Sequence, residues 1–226
     1  MRDMANGTAP PRGLVTVRLG QQFGFARRPA PPVRRQQLQR PEPQNAMTLT
    51  ARGDALRLVG RFREAVALFD RAIAIAPQAV AAWFGRALAH QSCGALVEAE
   101  RDYRRVTELA PRTAHGFAGL ATVLAMAGRL DEARVFADRA AELGPDDSAT
   151  VIAQARCDRL AGDHAAAARR LEALTSRPGL APQDAVLALG LLGDALDRLN
   201  ECDRAFEAYA RANRRFVAAH VSPGLG

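Results

Sequence analysis

Three columns of residues recur at a spacing of 34 positions, and this repeat constrains the fold more than any other feature of the sequence. Glycine opens the pattern, alanine follows five residues later, and proline follows after a further twelve. The columns are Gly60, Gly94, Gly128 and Gly162; Ala65, Ala99, Ala133 and Ala167; and Pro77, Pro111, Pro145 and, one position early, Pro178. A fifth copy follows after four extra residues, with Asn200 in the glycine column and Ala205 in the alanine column.

Each copy predicts two helices joined by a tight turn. The glycine column lies between two helical patterns, where a helix commonly ends in the left-handed conformation that glycine and asparagine tolerate. Proline just beyond the second pattern cannot continue that helix. The alanine column and a second small column on the first helix predict that the two helices cross at close range. That second column contains Gly53, Ala87, Ala121, Ala155 and Gly193.

The stretches from Leu58 to Pro77 and from Ala127 to Ala133 resemble the tetratricopeptide repeat. The resemblance implies an all-α, right-handed α-solenoid of about five antiparallel helix pairs, with the first helix of each pair lining the concave face. The copies are expected near residues 46–79, 80–113, 114–147, 148–185 and 186–219, followed by a C-terminal tail over 220–226. Because the fourth copy departs most from the pattern and is followed by the insertion Ser176–Gln183, we expect a loosened junction before the fifth.

The positive charge of the chain is concentrated in residues 1–45. The formal charge is +7, every basic residue is arginine, and this tail carries eight arginines against two acids. Seven of the 13 prolines also lie there, so we predict a disordered Arg/Pro-rich tail. It could be a basic arm that attracts RNA or a membrane surface, a transit peptide, or no part of the functional protein, with translation starting near Met47. The usage of alanine and arginine suggests a high-GC, bacterial genome, which favours the last interpretation.

The sequence indicates no catalytic or metal chemistry. The absence of lysine excludes a Walker-type phosphate loop and any lysine Schiff base. Cys93, Cys157 and Cys202 are too widely spaced for a zinc site or a disulfide framework, and the four histidines form no metal-binding motif. No apolar run reaches the roughly 18 residues of a membrane span. We therefore expect a cytoplasmic protein that is not an enzyme, has no cofactor and does not insert into membranes.

Binding is the remaining function, and the repeat alignment predicts where it occurs. The apolar side chains on the first helices suggest an anchor site, and Arg156 and Arg159 suggest a basic one. We expect a groove for a peptide with an apolar anchor and an acidic group, although another part of the same polypeptide could occupy it. The carboxylate clamp of co-chaperone members of the family is absent. The predicted groove residues are Phe84, Leu88, Gln91, His115, Thr122, Met126, Ile152, Arg156, Arg159, Asp194 and Arg198.

The sequence is also compatible with other functions. Residues 192–199 and 205–213 resemble the last repeat of bacterial proteins that join such repeats to a sulfotransferase domain, so the chain could be a truncated module of such an enzyme. No polar capping helix follows the fifth copy, which also suggests self-association through that end. Nucleic-acid binding is expected only through residues 1–45, because the remainder, with 23 arginines and 22 acids, is nearly neutral.

Overall fold

The computed structural model describes residues 45–220, with side chains up to residue 218, and this part of the chain forms ten α-helices. They are α1 (Ala46–Leu58), α2 (Phe62–Ile75), α3 (Val80–Ser92), α4 (Leu96–Leu109), α5 (Ala114–Met126), α6 (Leu130–Leu143), α7 (Ser148–Leu160), α8 (His164–Thr175), α9 (Pro182–Arg198) and α10 (Cys202–His220). The predicted tail 1–45 lies outside the described residues except for Asn45, and the predicted tail 220–226 lies outside them except for His220. None of the ten described helices is long and apolar enough to cross a membrane.

The described helices form five antiparallel pairs, which confirms the all-α solenoid predicted from the repeat. Each pair turns at a residue with positive φ: Gly60, Gly94, Gly128, Gly162 and Asn200. The amide of the next residue bonds back to a carbonyl of the last helical turn, as in the 2.9 Å bond from Arg61 N to Leu56 O. Asn200 adopts a φ of 61°, so it replaces glycine in the column without changing the turn.

The alanine column is buried in every pair, because the two helices cross there with no room for a larger side chain. Ala65, Ala99, Ala133 and Ala167 are fully buried, and Ala205 is nearly so. The large side chains of the second helices fill the space beside glycines. A Cβ atom added at Gly53 would lie 2.7 Å from the ring of Phe69, and one added at Gly85 would lie 2.5 Å from it. One aromatic ring is thus packed against glycines of two successive first helices.

The junction between the fourth and fifth helix pairs differs from the sequence prediction in two respects: where the fifth pair starts and how tightly it packs. Helix α9 begins at Pro182 rather than near Val186, so the extra residues lengthen this helix at its start. The expected loosening of the junction is wrong. Leu171 and Leu174 are buried in one core cluster with Ala188 and Leu192 of α9, and Ser148 Oγ lies 2.5 Å from Asp184 Oδ2. The insertion adds helix and packing surface to the array and leaves no gap in it.

Candidate functional site

Three of the first helices enclose a pocket of about 420 Å³ that we call the arginine pocket. It lies between α5, α7 and α9, and the first residue of α8 completes its wall. Among the described residues, no acidic side chain lines it. The lining residues are Ala125, Met126, Arg156, Arg159, Leu160, His164 and Arg198.

The pocket contains buried side-chain nitrogen atoms that have no hydrogen-bond partner in the described part of the chain. The Nε atoms of Arg156 and Arg159 and the Nδ1 atom of His164 are buried with no hydrogen-bond partner there. Burial lowers the pKa of Arg156, the neighbouring Arg159 lowers it further, and Asp194 opposes both effects. The guanidinium of Arg159 is better compensated, because its Nη2 atom lies 3.0 Å from Asp194 Oδ2. Within residues 45–218, Arg156 is therefore a charged group that lacks a counter-ion of its own.

The pocket forms because two columns of the repeat change residue type there. In the column of Arg57 and Arg159, the third copy has Ala125, and its short side chain leaves space. In the column that opens the second helix, Phe62, Leu96 and Leu130 give way to His164. Sequence reasoning missed Ala125, Leu160 and His164 as lining residues. The departure of His164 from an otherwise apolar column is the signal that would have pointed to it.

The structure brings four of the predicted groove residues together in the arginine pocket: Met126, Arg156, Arg159 and Arg198. A fifth, Asp194, pairs with Arg159 and accepts a 2.8 Å hydrogen bond from the hydroxyl of Tyr209. Burial raises the pKa of the Tyr209 hydroxyl above its ordinary value, and the hydrogen bond to Asp194 raises it further. Asp194 is therefore held by two partners that fix it at the edge of the pocket.

The other predicted groove residues lie nearer the first repeats or in the core. The ring of Phe84 lies 5.8 Å from that of Tyr103 and 6.3 Å from that of His115, both in edge-on geometry. Leu88 is half-buried beside them, and Gln91 accepts a 2.8 Å hydrogen bond from the Tyr103 hydroxyl. Two predicted residues do not present a surface: Thr122 is 7% exposed and Ile152 is 4% exposed.

A second polar cluster, which sequence reasoning also missed, lies between α3 and α4. Arg86 Nε and Nη2 donate to the fully buried carboxylate of Asp102 at 2.8 and 2.7 Å, and Nη1 reaches Asp70 Oδ1 at 2.5 Å. His90 Nε2 lies 3.9 Å from Asp102 Oδ2, and the His90 side chain is mostly buried beside this pair. Because Arg86 and Asp102 are both buried and are joined by two hydrogen bonds, we assign this cluster a structural role.

Comparison with known proteins identifies the family to which the repeats belong. A family model for the tetratricopeptide repeat matches residues 50–111 and 94–148. The chain is a tetratricopeptide repeat protein. Its third helix pair lies within the matched residues, and the fourth and fifth pairs repeat the same turn and crossing beyond them. A search of curated protein sequences finds no match.

Solved structures with the same repeat fold share few identical residues with this tetratricopeptide array. The Cut9–Hcn1 hetero-tetramer of the APC/C is similar over 77% of this chain, with 20% identity and a TM-score of 0.70. The thermophilic tetratricopeptide protein TTC0263 of Thermus thermophilus is similar over 75% of this chain and 91% of its own, with 20% identity and a TM-score of 0.66. The chain spans 34% of the matched chain of Cut9–Hcn1. At these identities the likeness concerns the fold. The resemblance of the fifth repeat to sulfotransferase-linked repeats is not shown and stays a prediction.

Proposed function

We propose that the tetratricopeptide array is a non-catalytic protein–protein interaction scaffold that binds a peptide segment of a partner along its first helices. The proposal rests on one observation: Arg156, which has no ion pair among the described residues and whose Nε atom is buried without a hydrogen-bond partner, lies beside exposed apolar side chains in one pocket. A buried charge without a counter-ion is costly, and a ligand with an acidic group would remove that cost on binding. Met126 and Leu160, which are 42% and 40% exposed, would contact the apolar part of the same ligand.

The position of the other groove residues supports an extended ligand. His115 opens α5 near Phe84, and Met126 ends the same helix at the arginine pocket. About eleven residues of helix separate them, a rise of about 16 Å. A peptide of about five extended residues spans that distance. We infer that an apolar side chain of the peptide contacts Phe84 and Leu88 while its acidic group enters the arginine pocket.

The test uses peptides selected from a random library on the full chain. We expect Phe84→Ala and Arg156→Met each to weaken binding of a selected peptide by at least about tenfold, or 1.4 kcal/mol. The matched controls are Val97→Ala, at a 79% exposed apolar residue of α4, and Arg169→Met, at an exposed arginine of α8. Peptides that bind both groove variants as tightly as the wild type would contradict the proposal.

A second candidate function is self-association through the last helix pair. Phe206 on α10 is 76% exposed, and Val217 on the same helix is 51% exposed. We propose that a second copy of the chain covers this surface. Sedimentation should show a dimer that Phe206→Glu dissociates and that the control Val97→Glu leaves intact. A wild-type chain that remains monomeric at high concentration would contradict this candidate.

The two remaining alternatives stay predictions. Salt-sensitive RNA binding is expected to disappear when residues 1–45 are deleted, and binding retained by the shortened chain would contradict it. A role as a truncated module of a sulfotransferase-type enzyme predicts a reading frame for that domain immediately downstream, and the chain alone should show no sulfate transfer.

A further inference from the structure

The arginine pocket holds more positive charge than one carboxylate would neutralise. Arg156, Arg159 and Arg198 line it, and no acidic side chain of the described residues does. The neighbouring carboxylate of Asp194 is already engaged by Arg159 at 3.0 Å and by the hydroxyl of Tyr209 at 2.8 Å. After that pairing the charges of Arg156 and Arg198 remain. A ligand with two negative charges therefore matches the pocket better than a ligand with one.

The unsatisfied donors have the chemistry that suits a phosphate group. The buried Nε–H groups of Arg156 and Arg159 lack acceptors among the described residues, and Nδ1 of His164 is also buried without a partner there. A phosphate monoester carries close to two negative charges at neutral pH and offers three strong acceptor oxygens. Guanidinium groups bind such oxygens in bidentate geometry, with charge-assisted hydrogen bonds that are about twice as strong as neutral ones.

The apolar rim indicates how the phosphate is presented. Met126 and Leu160 stand at the pocket with 42% and 40% of their surface exposed. A free phosphate ion would leave these side chains in contact with water, whereas an ester on a carbon chain would cover them. We propose that the arginine pocket binds a phosphate monoester carried on a side chain of the bound peptide. This inference rests on the proposed peptide-binding function and names the acidic group that the peptide supplies.

The test compares three degenerate peptide libraries that differ only in a fixed central residue: phosphoserine, glutamate or serine. Each library is passed over the immobilised full chain. We expect the phosphoserine library to be retained about tenfold more than the glutamate library. Arg156→Met and Arg198→Met should remove this preference, and Arg169→Met, at an exposed arginine that does not line the pocket, should keep it. Because Arg198 is also exposed, its loss tests the pocket without disturbing the core.

Competition with small phosphate compounds distinguishes a phosphate ester on a side chain from a free phosphate ion. Phenyl phosphate should displace the retained peptides at lower concentration than inorganic phosphate, because its ring covers the apolar rim. Inorganic phosphate that competes as well as phenyl phosphate would overturn the side-chain ester. Equal retention of the glutamate and phosphoserine libraries would overturn the phosphate inference and leave the peptide groove standing. Failure to retain any library would overturn both the phosphate inference and the peptide groove. A phosphoserine preference that survives in Arg156→Met and in Arg198→Met would place the phosphate outside the arginine pocket and would also overturn the inference.

Discussion

Arg159 and Asp194 form an ion pair of 3.0 Å that joins α7 to α9 at the edge of the arginine pocket, while Arg156, one turn earlier on α7, has no such partner among the described residues. The two arginines therefore have different roles. Arg159 links neighbouring repeats through a matched charge. Arg156 is held at a cost to the unliganded fold, as is common at sites that bind a counter-charge.

Replacing Arg156 by methionine should stabilise the free protein while it weakens ligand binding. The substitution removes a partly buried charge that has no ion pair among the described residues and keeps the aliphatic volume, so the free energy of unfolding should rise by on the order of 1 kcal/mol. Urea unfolding followed by circular dichroism measures the change. The control, Arg169→Met, should alter stability by less than about 0.5 kcal/mol. A clear loss of stability in Arg156→Met would show that this arginine supports the fold.

Breaking the buried Arg86–Asp102 pair should destabilise the protein, in contrast to the replacement of Arg156. Asp102→Asn leaves Arg86 with only the exposed Asp70 as counter-ion, and we expect a loss of about 3 kcal/mol in the free energy of unfolding. Asp138→Asn makes the same chemical change at an exposed position of α6 and should cost less than about 0.5 kcal/mol. Similar losses for the two variants would contradict the structural role given to the cluster.

Two glycines in first helices should respond to alanine with opposite signs. At Gly85 a Cβ atom would lie 2.5 Å from the Phe69 ring, so Gly85→Ala should destabilise the array by about 1–2 kcal/mol despite the helix preference of alanine. At Gly190 the added Cβ would meet no described atom within 4 Å apart from its chain neighbours and the nearby backbone of its own helix, so Gly190→Ala should stabilise α9 by about 0.5–1 kcal/mol. Thermal unfolding of the two variants measures both stability changes. A Gly85→Ala variant that is more stable than the wild type would refute the close packing of Gly85 against Phe69.

Two of the three thiols should react readily, and the third should be protected. Cys93 and Cys202 are exposed, whereas Cys157 is buried, and burial together with Asp158 raises its pKa to about 11. A thiol-specific reagent at pH 8 should therefore modify two thiols rapidly and the third only after unfolding. Cys157→Ala should remove the slow phase alone. Equal rates for all three thiols would contradict the packing of α7.

The same thiol has a consequence for stability at alkaline pH. The unfolded chain loses the Cys157 proton near the ordinary pKa of 9.0, whereas the folded chain keeps it until about 11. The folded state thus binds more protons in this window, so the contribution of Cys157 to the free energy of unfolding is complete below about pH 9 and declines above it. Comparing wild type with Cys157→Ala isolates this contribution. A wild-type pH dependence that Cys157→Ala does not alter between about pH 8 and 11 would contradict the raised pKa.

The features that repeat along the chain could be predicted from the sequence, because each is a local requirement that recurs. The left-handed turns at Gly60 and Asn200 and the buried alanine column around Ala65 follow from residue type and spacing. The start of the fifth pair could not be read in the same way. Its helix extends back to Pro182 through residues that have no counterpart in the other copies.

The candidate site could be predicted only in part. The repeat alignment predicted Arg156 and Arg159 as part of one face. The pocket, however, depends on the short side chain of Ala125, because a longer side chain at this position would fill it. The burial of Ile152 and the pairing of Arg86 with Asp102 depend on contacts between helices, 16 residues apart in the second case. Single columns carry no information about such pairs, which is why sequence reasoning missed the cluster.

The contact between the Arg156 guanidinium and a bound peptide is measured most simply by the side-chain Nε–Hε resonance of Arg156 in the full chain, assigned by its loss in Arg156→Met. The probe is a peptide selected from a random library on the wild-type chain. We expect this resonance to shift and to saturate at one peptide per chain, while the resonance of Arg169 stays in place. A peptide that binds with the Arg156 resonance unmoved would contradict the assignment of the arginine pocket as the acidic end of the groove.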